Sequence, residues 1–562
     1  MSPSAGPLPL VTPWNRFYWK AGEDGVLRMQ RCGQCKELRF PPGPRCPSCL
    51  SDDLVIEGLS GRGRIVALTV NHQQWHPAIK PPYVIAIVAL AEDPAVRLTT
   101  NIVGCEVDEP RIGRAVRVVF EERDDVWLPQ FELDPDLGDC DEVDPSPPPS
   151  RDGQHPAPAF TPLRAEHKFE SDSAISGIGK SRVGRRLGAE PLGLMVDAAL
   201  AAIEDAGLTR DEIDGISTYP GGDAESSQGN NGGGIFSLEE ALRIRPRWFS
   251  SGLETSGQSG AVVNAMLAVS AGLCRHVLCV RGVWASTFTD LQRKGEIASG
   301  GGRHVGGEMS WRIPYGAMSA ANWIGMQATR HMSAFGTTRE QLGAIAINAR
   351  KNAADNPDAV YRDPLSMDEY LGARLVTTPF GLYDCDVPCD GAVALVVSHV
   401  ETLPDLRAPV VRVEAIGTAL SERISWDQGT LLHEPLVAGA SQHLWSRTQM
   451  SPSDVDVAGL YDGFTFNCLS WIEALGFCEI GEGGAFVEGG KRIARDGELP
   501  VNTDGGQLSG GRLHGYGFLH EACLQLRSEA GARQVPGDPE VAIVTTGGGH
   551  PGGAWLLTRD RS

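Results

Sequence analysis

The sequence predicts a mixed α/β protein: a large α/β domain preceded by a small metal ribbon and a small all-β barrel. Three observations carry this. Two Cys-x-x-Cys pairs lie close together near the N-terminus, and a group of short alternating runs follows them. Beyond residue 170, apolar strands and helices alternate in β–α–β order. At 562 residues the chain is too long for one core, and two to four domains are expected.

Composition narrows the function classes. The chain is 41% hydrophobic and 22% charged, as in an ordinary globular protein, and its 68 Gly and 38 Pro imply many turns. A net charge of −21 argues against a nucleic-acid-binding surface, which needs a basic excess, but leaves room for a local basic pocket. Met1 to Leu10 lack the charged and apolar regions of a signal peptide, and no apolar run reaches about 18 residues. A cytoplasmic protein without a membrane span is expected. Four of the thirteen cysteines form a metal motif, and the other nine are expected to be reduced and mostly buried.

Residues 1–30 read as a helical lead carrying Trp14, Phe17 and Tyr18. In 31–52, Cys32-Gly33-Gln34-Cys35 and Cys46-Pro47-Ser48-Cys49 form two knuckles ten residues apart. Each can turn two thiolates toward one tetrahedral Zn²⁺, and four thiolates leave no position for water, so the metal is structural. Residues 57–132 hold strand-like runs at Gly63–Val70, Tyr83–Leu90, Arg97–Ile102 and Ala115–Phe120, which suit a small barrel of the OB type. Residues 134–165 are acidic and proline-rich and read as a semi-extended linker. This order of parts resembles the zinc-ribbon/OB-fold acyl-CoA-associated family, formerly a domain of unknown function. The resemblance implies a companion to thiolase-like or hydratase subunits, usually on a separate chain.

In the large domain, Ile175 to Arg186 reads as a strand ending in a glycine turn, and Leu192 to Ala206 as a helix closed by Gly207. Val262 to Leu273 is an Ala-rich helix and His276 to Val283 a buried strand. The run Asn348-Ala349-Arg350-Lys351-Asn352-Ala353, the run Cys389-Asp390-Gly391-Ala392-Val393-Ala394 and the closing Gly547 to Gly549 resemble the sterol-carrier-type thiolases. That resemblance implies the thiolase fold, αβαβα, with two similar halves at 168–408 and 409–562. It also implies at least a homodimer.

The departures from the thiolase pattern define the expected chemistry. Gly257-Gln258-Ser259-Gly260 stands where that family has Cys-x-x-Gly, and Thr545-Thr546 precedes Gly547, Gly548 and Gly549 where it has Cys-x-Gly-Gly-Gly. The two histidine motifs read Tyr461-Asp462-Gly463-Phe464 and Gly511-Arg512-Leu513-His514-Gly515-Tyr516. Glycine cannot be acylated, and no motif supplies a base for Ser256 or Ser259. Substitutions of this kind resemble the thiolase-like aldolases of steroid side-chain degradation, which implies a retro-aldol cleavage of a 3-hydroxyacyl-CoA without an acyl-enzyme. Tyr461 or Tyr516 would take the hydroxyl proton while the other orients or protonates, and Asp462 would orient its neighbours. Gly547 to Gly549, Gly257 and His514 would hold the enolate oxygen, with Arg512 lowering a phenol pKa. CoA enters as part of the substrate, and an enoyl-CoA hydratase is the implied partner. Two other functions stand beside this one: a non-covalent C-acyltransferase, and a non-enzymatic acyl-CoA or lipid carrier. The glycine-rich run 221–234 lacks the Lys-Ser/Thr of a phosphate loop and reads as a loop over the site.

Overall fold

Short β-branched runs in the first 133 residues fold into two small β units. The protein is seen in a computed structural model that describes residues 6–138, 167–219, 232–251, 257–297, 303–407, 409–419, 426–428, 437–548 and 552–560. Most of the linker, most of the run 221–234, Ser256 and Gly549 lie outside these residues.

In the ribbon, β1 (Arg28–Cys32) pairs antiparallel with both β2 (Leu38–Arg39) and β3 (Leu54–Gly58). The barrel consists of β4 (Arg62–Asn71), β5 (Tyr83–Leu90), β6 (Arg97–Ile102), β7 (Ala115–Arg123) and β8 (Val126–Leu133). It closes because β4 pairs with both β5 and β7, while β6 meets β8 in parallel at Ile102 and Phe131. Ile65, Val84, Val88, Leu98 and Phe131 fill its interior, as the alternation of the strands requires. The lead departs from expectation: among its described residues only Arg16–Trp19 forms an α-helical turn, and Leu8–Pro9 pairs in parallel with His304–Val305 of the large domain. Trp19 stacks on Trp311 at 4.9 Å between ring centroids, so its aromatic residues anchor the N-terminus to the large domain.

The large domain is built on one sheet. Its strands are β9 (Ser173–Lys180), β10 (Gly215–Thr218), β11 (Trp248–Ser251), β12 (His276–Trp284), the short β13 (Leu375–Thr377), β14 (Asp390–His399), β15 (Val411–Gly417), β16 (Val457–Gly459), β17 (Val541–Thr546) and β18 (Gly553–Arg559). All but β13 lie in a nine-stranded order β11-β10-β12-β14-β9-β15-β18-β17-β16. The two halves repeat one arrangement. In the first, β10–β12 is parallel while β12–β14 and β14–β9 are antiparallel. In the second, β16–β17 is parallel while β17–β18 and β18–β15 are antiparallel. The central strands β12 and β14 are buried along nearly their whole length, which explains their continuous apolar runs.

The helices are α1 (Pro191–Asp205), α2 (Gly260–Ser270), α3 (Ala285–Lys294), α4 (Ala320–Phe335), α5 (Arg339–Ala354), α6 (Val437–Ser446), α7 (Thr465–Ala474) and α8 (Tyr516–Leu526); α1, α2, α6 and α8 pack on this sheet, and α4 packs on the barrel strands β4 and β5. Helix α1 lies so close to β9 that a Cβ on Gly177 or Gly179 would meet the carbonyl oxygen of Ala202 or Ala198 at 2.2 Å. No helix among the described residues is long and apolar enough to cross a membrane.

The barrel is bonded to the large domain by buried polar groups. Thr377 of β13 pairs with Asn71 of β4, and the Thr69 and Thr377 hydroxyls lie 2.6 Å apart. Asn322, the third residue of α4, caps that helix by accepting from the Ser319 N–H at 3.1 Å. The same side chain donates to Asn71 Oδ1 at 2.9 Å. The Thr99 hydroxyl donates to Asp427 at 2.9 Å. Satisfied buried polar contacts fix one docking geometry, since breaking a partner leaves the other desolvated.

Candidate active site

Strands β16 and β17 are parallel neighbours, so the segments leaving their C-terminal ends emerge side by side. One carries Tyr461, Asp462 and Gly463 into α7, and the other carries Gly547 and Gly548. The Tyr461 N–H donates to the Thr545 hydroxyl at 2.8 Å, so a threonine in the former cysteine motif now fixes the tyrosine backbone. A Cβ on Gly548 would stand 2.5 Å from Tyr461 Cε1 and 2.9 Å from Asn467 Oδ1. Glycine at 548 is therefore what lets the phenol ring sit where it does.

Tyr461, Gly548, Arg512 and His514 line one cavity of ≈ 580 Å³, a size suited to a small-molecule site. Phe464, Val376, Leu382 and Pro388 give it apolar walls, and Asn467, Cys385 and Asp386 add polar groups. Gln73 and Trp75 of the barrel domain complete the lining, so both domains build the cavity.

Arg512 reaches Asp386 at 3.4 Å. Burial disfavours its charge, but Asp386 and the neighbouring Tyr461 phenol together hold its pKa above the usual value. His514 has a left-handed backbone (φ 51°), and its Nδ1 accepts from Arg281 Nη2 at 2.5 Å. Burial first, then Arg281 and Arg512, push the imidazole well below its ordinary pKa. A neutral ring whose Nδ1 is an acceptor carries its proton on Nε2. His514 is thus a neutral N–H donor on the cavity wall, not a base.

The remaining expected residues fall elsewhere. Tyr516, the first residue of α8, is fully buried and does not line the cavity. Its hydroxyl has no hydrogen-bond partner among the described residues. Burial, with Cys279 adding to it and Arg281 opposing, raises its pKa well above that of a free phenol. Asp462 is also buried and outside the cavity lining, and its Oδ1 accepts from the Gln507 N–H at 2.8 Å. Its carboxyl, pushed up to about 8 by burial, holds the turn at Gly506–Gly510 that leads to Arg512. Gly547 (φ 91°) accepts from Trp471 Nε1 at 3.2 Å, and Gly257 starts the short turn before α2.

No thiolase-like nucleophile is formed among the described residues. Ser259 is buried, accepts from Trp555 Nε1 at 2.7 Å and lies 3.0 Å from the Thr546 hydroxyl, so it is engaged in packing. Cys385 does line the cavity, but burial, Asp384 and Asp386 hold its thiol far above its free pKa, in the protonated form. It donates to the Gly381 carbonyl at 3.6 Å.

Sequence reading missed Cys385, Asp386, Asn467, Gln73 and Trp75. Asp386 and Cys385 adjoin the quoted run Cys389–Ala394, and Asn467 follows Tyr461 by six residues, so a polar residue beside each motif was the available signal. Nothing local marks Gln73 or Trp75.

Away from the cavity, the Sγ atoms of Cys32, Cys35, Cys46 and Cys49 lie within 4.8 Å of one another. Cys32 and Cys49 are 3.5 Å apart, and Cys35 and Cys46 are 3.4 Å apart. A tetrahedral Zn–S₄ centre requires about 3.8 Å between sulfurs, so the four donors fit one ion after a small relaxation.

Comparison with known proteins agrees with these parts. Residues 19–55 match the ChsH2 rubredoxin-like zinc ribbon domain, residues 57–121 the ChsH2 C-terminal OB-fold domain, and residues 418–554 the thiolase C-terminal domain-like family. A steroid side-chain-cleaving aldolase of Thermomonospora curvata is 32% identical over 397 residues, covering 69% of this chain and 98% of that one. The 17-hydroxy-3-oxo-4-pregnene-20-carboxyl-CoA lyase of Mycobacterium tuberculosis is 32% identical over 399 residues, covering 69% of this chain and 100% of that one. The solved Ltp2-ChsH2(DUF35) aldolase superposes with a TM-score of 0.60 at 31% identity, covering 70% of this chain and 98% of that chain. The chain belongs to the thiolase superfamily, as an aldolase of its steroid side-chain-cleaving branch that carries ChsH2-type zinc-ribbon and OB-fold domains on the same polypeptide.

Proposed function

We propose that this aldolase cleaves the Cα–Cβ bond of a tertiary 3-hydroxyacyl-CoA, of the type in which a steroid 17-hydroxy-20-carboxyl-CoA gives a 17-ketosteroid and propionyl-CoA. The observation that carries this reading is the wall on which Tyr461, charged Arg512 and neutral His514 face one cavity with no thiolate beside them.

In this reaction the β-hydroxyl loses its proton and the carbonyl forms at Cβ. The Cα–Cβ electron pair moves into the thioester as an enolate, and Cα then takes a proton. Tyr461 is the base: Arg512 beside it stabilises a phenolate, which a phenol in water does not reach at neutral pH. His514 donates Nε2–H to the enolate oxygen, and a neutral donor there gives no proton away. Tyr516 is buried outside the cavity lining and stays protonated, so the proton that Cα takes is the one Tyr461 removed from the β-hydroxyl. Gly548 shapes the wall against Tyr461, and Asp462 positions the turn before Arg512.

The four-cysteine cluster holds a structural Zn²⁺, and CoA enters as part of the substrate. The enzyme is cytoplasmic, which the free thiols among the described residues support. It acts as a homodimer through the large domain, where the edge strand β11 presents exposed Phe249 beside exposed Phe236. An enoyl-CoA hydratase that makes the tertiary alcohol is the fitting partner. Chromatography after incubation with such a 3-hydroxyacyl-CoA tests the reaction: ketone and a shortened acyl-CoA are expected, and release of free CoA alone would reject it.

A further inference from the structure

The protein carries a net charge of −21, yet its cavity is lined by Arg185, Arg186, Arg293 and Arg374 in addition to Arg512. The only carboxylates among the lining residues are Asp290 and Asp386. Asp386 is taken by Arg512, and Asp290 is shared between Arg186 at 3.5 Å and Lys294 at 2.7 Å. Arg293 has no hydrogen bond or ion pair among the described residues, and like Arg185, Arg186 and Arg374 it is solvent-exposed. A local cationic rim on an acidic protein focuses the field on an incoming anion.

The barrel shares in this rim. Arg374 Nη1 donates to Gln73 Oε1 at 2.9 Å, which links the large domain to the barrel loop at the cavity edge. The Trp75 indole N–H donates to Asn71 Oδ1 at 2.9 Å, and the same oxygen accepts from Asn322 of α4. The ring is therefore oriented by docking of the two domains, while 39% of the residue remains exposed. An aromatic face beside a set of guanidinium groups is the chemistry that takes a nucleotide: phosphates on the arginines and the base on the ring.

We infer that this rim is the seat of the nucleotide end of CoA. Arg185, Arg186, Arg293 and Arg374 take the pyrophosphate and 3′-phosphate, and Trp75 of the barrel stacks on the adenine. This rests on the acyl-CoA reading above and adds that the barrel is a substrate-binding part of the enzyme.

The test is isothermal titration calorimetry of the full chain with coenzyme A and with adenosine 3′,5′-bisphosphate. The same measurements are made on the Arg185→Ala/Arg293→Ala double variant, Trp75→Ala and Trp75→Phe. The double variant and Trp75→Ala are expected to weaken both ligands about tenfold or more, since each charged hydrogen bond and each stacked base is worth that much. Trp75→Phe should recover most of the loss, and added salt should weaken coenzyme A in the parent more than in the double variant. Unchanged affinity in the double variant or in Trp75→Ala overturns the inference. These substitutions are exposed, and thermal unfolding of each variant verifies the fold. Cleavage by the parent is read separately: if it binds coenzyme A as described but cleaves no 3-hydroxyacyl-CoA, the lyase reading fails and the seat remains.

Discussion

Replacing Gly548 with alanine adds one methyl group where Tyr461 Cε1 would be 2.5 Å away and Asn467 Oδ1 2.9 Å away. Non-bonded carbons rest about 3.5–4.0 Å apart, so the phenol ring must retreat by about 1 Å. The backbone itself tolerates the change, because Gly548 is not in the left-handed region. A displacement of about 1 Å at a reacting group costs about 100-fold in rate, or about 2.7 kcal/mol of transition-state stabilisation. Steady-state cleavage of a 3-hydroxyacyl-CoA should therefore show kcat/KM reduced about 100-fold in Gly548→Ala. Thermal unfolding should shift only slightly, since the cavity gives the ring space to move. A variant with parental kcat/KM would refute the reasoning: either the ring is elsewhere during turnover or its position does not matter.

Three further outcomes follow from the same geometry. His514→Ala should lose about 10²–10³ in kcat as an oxyanion donor is removed, and the parent pH–rate profile should show no limb near pH 6.5, because the ring is already neutral. A parent limb near pH 6.5 that disappears in the variant would make His514 a titrating base instead. Asp462 is held protonated, its folded pKa raised from 3.8 to about 8, so its contribution to stability is full below about pH 4 and is lost as pH rises through 8. Asp462→Asn should flatten the fall in Tm across that window, and an unchanged slope would contradict the assignment. Cys35→Ser should abolish stoichiometric zinc by elemental analysis and raise hydrogen exchange through the ribbon. Full zinc content in that variant would mean the four thiolates are not its ligands.

The ribbon was legible because its signal is local: four thiols at fixed spacing leave few alternatives. The barrel strands and the β–α–β order were legible because burial imposes a period on the side chains, and β12 and β14 are buried almost throughout. The break that the sequence proposes at 408/409 falls just before β15. Of the candidate residues, Tyr461, Gly548, Arg512 and His514, which sit in short motifs that depart from a familiar pattern, share the lining of one cavity. Tyr516 and Asp462 do not, since motif position says nothing about which way a side chain turns: both face the interior. Gln73 and Trp75 were invisible for another reason: Gln73 meets Arg374 about 300 residues away, and Trp75 bonds to Asn71, which itself meets Asn322 about 250 residues away. The neutral state of His514 likewise depends on Arg281, which is distant in sequence.

The most direct single measurement is mass spectrometry of products and intact protein during turnover in D₂O. Proton transfer by phenols predicts a ketone and an acyl-CoA bearing one solvent deuterium on its α-carbon, with the protein mass unchanged. An intact protein heavier by the acyl group, located on any cysteine, would contradict it.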